Sequence, residues 1–107
     1  MYEYKATLLR VIDGDTVVLD VDLGMMIHVL RPCRLHGIDA PEKRALPVAA
    51  ENARARLVEL LQKEPLLCRT HKDSTEKYGR LLVTLTNGEG EDINATLLAE
   101  GFVVKYG

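Results

Sequence analysis

Long apolar runs are missing from this chain of 107 residues. None approaches the ~20 residues that a membrane-spanning helix requires, so no membrane association is expected. The N-terminus, Met1-Tyr2-Glu3-Tyr4-Lys5, lacks a charged segment followed by an apolar leader. The chain as written is therefore expected in the cytoplasm, although a trimmed, secreted form would read the same way. Cysteine is scarce: Cys33 and Cys68 are the two present. There is no C-x-x-C pair and no Cys/His cluster, which leaves two reduced, buried thiols as the expectation. An excess of basic residues is also lacking, since 14 Lys and Arg face 16 Asp and Glu for a net charge of −2. Binding of nucleic acid through bulk charge is thereby disfavoured. Any phosphate must be handled locally, by a few placed arginines and a cation.

What is present is 47% hydrophobic and 28% charged residues, the composition of a globular chain, with neither an internal repeat nor a linker. One domain over residues 1–107 is expected, with a modest core. Thr7 to Ile12 and Thr16 to Val21 read as strands joined by the Asp13-Gly14-Asp15 turn. After a turn at Gly24, Met26 to Leu35 reads as a third strand, with Pro32 marking an edge or a bulge. Leu46 to Lys63 reads as a helix with Pro47 in its first turn and an apolar stripe of Ala50, Ala53, Leu57, Leu60 and Leu61. Pro65 to Thr70 and Leu81 to Thr86 are the fourth and fifth strands, the latter followed by an Asn87-Gly88 turn. Ile93 to Glu100 is a short helix, with Ile93, Leu97 and Leu98 facing inward. Gly101 suits its C-terminal cap, with Phe102 packing back on Leu97. Three strands, a helix, two strands and a helix do not alternate as βαβ units, which argues against a parallel sheet. The order fits a mainly β, α+β fold. It is a five-stranded Greek-key barrel of the OB type, with a helix between strands three and four and a short C-terminal helix.

Three clusters concentrate ligands for hard cations and phosphates. The first is Ile12-Asp13-Gly14-Asp15-Thr16, the second runs from Arg34 to Glu42, and the third is Glu76-Lys77-Tyr78-Gly79-Arg80. Asp13, Asp15, Asp39 and Glu42 all fall at strand ends or turns, where oxygen ligands from two segments could begin a site for a hard cation. Taken alone, Asp-Gly-Asp reads first as turn chemistry, and the spacing is not that of an EF-hand. Arg34 interrupts an apolar strand, and strand alternation turns Leu35 to the core and Arg34 with His36 to the other face. Two guanidiniums, Arg34 and Arg80, could clamp a phosphate and stabilise charge that develops on it. Surface ion pairs with Asp39 or Glu76 are the plainer alternative. Glu42 could act as a general base on water, or be an exposed loop carboxylate. Lys77 and Tyr78 could contact a nucleotide, or be solvated turn residues. The histidines His28, His36 and His71 are scattered, as structural or exposed residues are.

On these clusters the sequence resembles the staphylococcal nuclease-like domain family, the micrococcal or thermonuclease type. Val11-Ile12-Asp13-Gly14-Asp15-Thr16 is similar to its I-D-G-D-T motif. Arg34 to Glu42 is similar to R-L-x-x-[IV]-D-[TA]-P-E, and Lys77-Tyr78-Gly79-Arg80 to K-Y-G-R. Ile93 to Phe102 resembles the family's late helix. The resemblance implies an OB-type barrel with a Ca²⁺ site at one end, and a nuclease that hydrolyses DNA and RNA with little sequence preference to leave 3′-phosphate ends. Carried over by position, it implies Asp15, Asp39 and the carbonyl of Ala40 as Ca²⁺ ligands and Asp13 as their support. Glu42 would be the base or the orienter of water, Arg34 and Arg80 the phosphate clamp, and Lys77 and Tyr78 the nucleotide contacts. The same fold without catalysis would be a nucleic-acid- or protein-binding module. The sequence departs from the family in having Ala40 in place of the commoner threonine, and a short Lys43–Leu46 loop. It also ends at Gly107, where many relatives continue into a further helix. Apolar surface left bare there would favour a homodimer or mark a truncated chain. Tyr106 aligns loosely with a nucleotide-stacking tyrosine of the family.

Overall fold

The computed structural model describes residues 2–75 and 79–106, and the side chains of 72–75 also lie outside the description. The elements run β1 (Tyr2–Asp13), β2 (Thr16–Asp22), β3 (His28–Leu35), β4 (Ile38–Asp39), α1 (Pro47–Leu61), β5 (Leu66–Thr75), β6 (Leu81–Thr86), α2 (Ile93–Ala99) and β7 (Val104–Lys105). Five strands close into a barrel in the order β1-β2-β3-β6-β5, and β4 and β7 form a separate two-stranded pair. The β3–β6 pairing is parallel and the other barrel pairings are antiparallel. The expected barrel, with a helix between its third and fourth strands, is thus the observed one.

The β2–β3 hairpin corrects one expected boundary. The third strand starts at His28 rather than Met26. Met25 and Met26 instead occupy the centre of a tight turn at φ 55° and 63°, closed by the N–H of Ile27 donating to the carbonyl of Gly24 at 2.9 Å. Two left-handed central residues match the twist of the strands they join. Pro32 pairs with Val18, and β6 joins β3 only from Cys33 onward. The missing N–H of Pro32 therefore falls where β3 is locally an edge.

Inward residues of the barrel (Val17, Leu19, Cys33, Leu35, Val83 and Leu85) meet Ala53, Leu57, Leu60 and Leu61 of α1, all at most 1% exposed. Ala50 is half-buried at the end of that stripe. Truncating a leucine packed in this way costs about 2–5 kcal/mol. Cys33 and Cys68 are free and buried, as expected. Burial pushes their thiols up to about 11 and about 12, which keeps them protonated at neutral pH.

At the start of α2 the Asp92 carboxylate accepts from the N–H of Ala95 at 3.0 Å. The helix ends as the sequence predicts. Gly101 has φ 79°, its N–H donates to Leu98, and that of Phe102 donates to Leu97. The inward face differs from expectation. Ile93, Asn94 and Leu97 are buried, whereas Leu98 is 37% exposed. The Asn94 amide takes the inward place because the barrel end supplies all its partners. It accepts from the N–H of Leu85 and donates to the carbonyls of Val83 and His36. Among the described residues no helix is long and apolar enough to cross a membrane.

Candidate functional site

The turn between β1 and β2 is a two-residue hairpin loop, Gly14-Asp15, closed by the Asp13–Thr16 pair. Glycine is required by a close approach. A Cβ at Gly14 would stand 2.8 Å from the Cβ of Ala53 on α1 and 3.2 Å from that of Ala40. The turn therefore wedges between the helix and the segment that follows β4. Asp15 is 8% exposed, and its carboxylate is held at both ends. Oδ1 accepts from the Thr16 hydroxyl and Oδ2 from the N–H of Ala40, both at 2.9 Å. The Asp15 carbonyl accepts from the N–H of Leu35 at 2.8 Å, which ties the end of β3 to the same turn.

Arg34 completes the junction. As alternation predicts, Leu35 is fully buried while Arg34 lies on the other face of β3. Its Nη2 is 2.9 Å from Oδ1 of Asp39 and 3.5 Å from Oδ2 of Asp15, and its Nη1 donates to the carbonyl of Ile38 at 3.2 Å. Its guanidinium carbon lies 4.9 Å from the centre of the Tyr106 ring, within cation–π range. The side chains of Arg34 and Asp15 are 12% and 11% exposed, whereas that of Asp39 is 48% exposed. One cation thus bridges a sequestered carboxylate and a solvated one. The pairing with Asp39 is the plainer alternative allowed by the sequence, and the second contact, with Asp15, adds the junction of two chain segments.

Asp13, Asp15, Ala40, Pro41, Glu42 and Lys43 line a cavity of about 200 Å³ at this end of the barrel. Glu42 is exposed, and its Oε2 accepts from the N–H of Ala45 at 2.7 Å while its carbonyl accepts from the N–H of Leu46. One of its carboxylate oxygens thus braces the short loop that enters α1. Arg80 is half-buried, one residue before β6 and two before Leu82, the partner of Arg34 across the β3–β6 pair. Lys77 and Tyr78 lie outside the described residues.

The donors around this cavity are hard oxygens: carboxylates at three lining positions, and the nearby carboxylate of Asp39. Among the described residues no three carboxylate, thiol or imidazole groups gather closely enough to form a complete metal cage. A set of two carboxylates from separate segments, completed by peptide and water oxygens, is one that Ca²⁺ tolerates and that soft transition metals do not favour. The donor chemistry therefore fits the expected ion.

Sequence reasoning missed Asn94, a positioning residue. Its bond to the His36 carbonyl fixes the turn between Arg34 and Asp39, and an amide beside an apolar residue in a short helix was the available signal. It also left His36 and His71 apart. Their rings stack at 3.9 Å between centres, and His71 shares a hydrogen bond with the Thr84 hydroxyl at 2.8 Å. That contact joins β5 to the end of β3, and no local pattern announces it.

Residues 32–107 match the family described as Staphylococcal nuclease homologue. Protein ParB of Escherichia coli is 32% identical over 112 residues, an alignment that takes in 97% of this chain and 58% of ParB. The chain therefore spans little more than half the length of that relative. The matched segment carries the Arg34, Asp39, Glu42 and Arg80 positions on a closed mixed barrel with two helices, and the chain belongs to the staphylococcal nuclease homologue family.

Proposed function

We propose that this chain is a calcium-dependent nuclease that hydrolyses phosphodiester bonds of DNA, RNA or both and leaves 3′-phosphate ends. The observation that carries the proposal is the Arg34 guanidinium standing between Asp15 and Asp39. It joins acids from two chain segments through one guanidinium, next to a cavity lined by Asp15, Ala40 and Glu42. Membership of a nuclease family supports the same reading.

A bound dication would neutralise charge on the phosphate and lower the barrier to attack by an anionic or polarised oxygen. Asp15, Asp39 and the Ala40 carbonyl would hold it, with Asp13 at the rim. The protein's own groups do the rest. Arg34, kept in place by Asp39 and the Ile38 carbonyl, offers its remaining N–H donors to a non-bridging phosphate oxygen and takes up charge as the phosphorus becomes five-coordinate. Arg80 is the second guanidinium for that charge. Glu42 takes or orients the proton of the attacking water with the carboxylate oxygen not bonded to Ala45. Lys77 and Tyr78 contact the adjoining nucleotide.

The second reading is a nucleic-acid- or protein-binding module on the same fold. It is favoured by the net charge of −2 and by the bond from the Ala45 N–H that engages Glu42. A cleavage assay on denatured DNA and on RNA separates the two. The wild type should cut both with Ca²⁺ and neither with a chelator. Glu42→Ser and Arg80→Ala should each lose about 10²–10³ in kcat, the usual cost of removing one group that stabilises developing charge. Equal rates in all three proteins would refute the assignment.

A further inference from the structure

Beside the Asp15 cavity lies a larger one of about 430 Å³, and the two share Asp13, Pro41 and Lys43. Five consecutive residues, Arg10 to Gly14, line the larger cavity. A regular strand turns successive side chains to opposite faces and so offers one cavity only every second residue. β1 escapes that rule because its pairing with β2 slips twice, between Leu8 and Arg10 and between Val11 and Asp13. Paired slips of this kind bend a strand and re-aim its side chains. Pro47, Ala50, Glu51 and Arg54 form the wall contributed by α1.

The charges in this cleft are unevenly matched. Arg54 is engaged within the protein, donating to the Val11 carbonyl at 3.3 Å and standing 3.8 Å from Glu51, which it offsets. Arg10 and Lys43 have no ion pair among the described residues. Asp13 stands at the shared mouth, where the dication of the proposed mechanism would offset it.

We infer that this cleft is a subsite for the polynucleotide strand running on from the scissile phosphate, with Arg10 and Lys43 on the next backbone phosphate and the apolar wall of Ile12, Pro41 and Pro47 under its sugar or base. The inference rests on the nuclease reading for the position of the scissile phosphate. A strand alternates anionic phosphates with apolar ring faces, and a groove combining unpaired cations with apolar surface is the complement of that pattern. A small free anion would use neither the apolar wall nor the length of the cleft. The subsite also accounts for how a chain of net charge −2 could hold an anionic polymer, by local cations beside a cation site.

The test is binding of the intact chain, with Ca²⁺, to a phosphorothioate oligothymidylate of about twelve nucleotides, a length within the span of one such barrel. Affinity is read by fluorescence anisotropy across a salt series, for the wild type, Arg10→Ala, Arg10→Lys and Lys43→Ala. Arg10→Ala and Lys43→Ala should each weaken binding about fivefold, as loss of an exposed charge contact does. Each should lower the slope of log affinity against log salt by about 0.7, the value for one phosphate contact on a single strand. Arg10→Lys should restore the slope. In cleavage of the unmodified strand the Arg10→Ala loss should fall on KM more than on kcat, and should be larger for the long strand than for a dinucleotide. A wild type that cleaves, with Arg10→Ala and Lys43→Ala matching it in slope and affinity, overturns the cleft and leaves the nuclease reading standing. Equal losses on the long strand and the dinucleotide also overturn the cleft. A wild type that does not cleave but shows the slope losses overturns the nuclease reading and keeps the cleft as a strand-binding site. A wild type that neither binds nor cleaves overturns both.

Discussion

The Asp15 carboxylate accepts a hydrogen bond at 2.9 Å from the backbone N–H of Ala40, a residue 25 positions further along the chain. This bond fastens the β1–β2 turn to the exit of β4 and sets the spacing between the two acids that flank Arg34. Asp15→Ala would leave that N–H and one side of Arg34 without their partner. Loss of one partner at a largely buried group costs about 1–3 kcal/mol, and a domain of this size loses roughly 4–8 °C in Tm per kcal/mol. Urea and thermal unfolding check the value. A Tm within a degree or so of wild type would mean that the bond is incidental.

Arg34 should not be replaceable by lysine. Its planar fork meets the Ile38 carbonyl and Asp39 at once and faces the Tyr106 ring, a geometry that an ammonium on a flexible stem does not reproduce. Arg34→Ala should reduce kcat/KM by about 10²–10³, and Arg34→Lys should recover only a small part of the loss. Steady-state kinetics on a labelled single strand provide the measurement. Full recovery with lysine would show that charge alone matters there.

Gly14→Ala should damage the fold and the site together. The added methyl group would meet Ala53 and Ala40 on opposite sides. Overpacking of that kind costs about 1–3 kcal/mol. Because one of the displaced residues carries the N–H that holds Asp15, Ca²⁺ affinity should fall as well. Calorimetric Ca²⁺ titration alongside unfolding reads both effects. Wild-type affinity in a destabilised variant would separate the wedge from the cation site.

The two histidines with shifted protonation should leave opposite marks on stability against pH. Burial first, then His36 and Arg69, hold His71 below the ordinary imidazole value of 6.5. The unfolded chain therefore binds more protons at this residue than the native chain does. Its contribution is fully present above pH 6.5 and is lost as pH falls through the folded value. The hydrogen bond to Asp20 at 2.8 Å raises His28. Its contribution is present below pH 6.5 and is lost as pH rises through its folded value. Urea midpoints should accordingly drop for wild type relative to His71→Gln on acidification, and drop relative to His28→Gln on alkalinisation. Parallel profiles for all three proteins would contradict the assignment.

Much of the fold was legible because the signals that mark it are strong. The apolar stripe of α1 is buried from Ala53 to Leu61, and Gly101 takes the left-handed cap foreseen for it. The parts that escaped have no such signal. β1 begins at Tyr2 and β5 runs to Thr75. Outside its single buried residue, Val11, β1 is exposed or half-buried, and the alternation that marks its start, Tyr4, Ala6 and Leu8 against exposed Lys5 and Thr7, is weak because those apolar residues are only partly buried. Backbone pairing with β5 from Tyr2 to Ala6, joined by β2 from Lys5 onward, holds that first half. β4 and β7 are two residues each and pair across the barrel end, below the length at which any pattern registers. At the site, the resemblance named the residues and alternation gave the direction of Arg34. The bond from Ala40 to Asp15, the Tyr106 ring beside Arg34 and the Asn94 brace are long-range contacts that depend on barrel closure, and apart from the Asn94 amide itself nothing local points to them.

The account turns most directly on the initial rate of cleavage of a labelled single strand of DNA as free Ca²⁺ is raised, for wild type and Asp39→Ala. The wild-type rate should climb from nothing in chelator to a plateau. Asp39→Ala should need about tenfold or more Ca²⁺ to reach half its own, lower plateau, since loss of even a group that only supports a metal ligand costs about 10–100-fold in affinity. Cleavage by wild type that is equally fast in chelator, or a Ca²⁺ dependence that Asp39→Ala leaves unaltered, would contradict a cation site built on these acids.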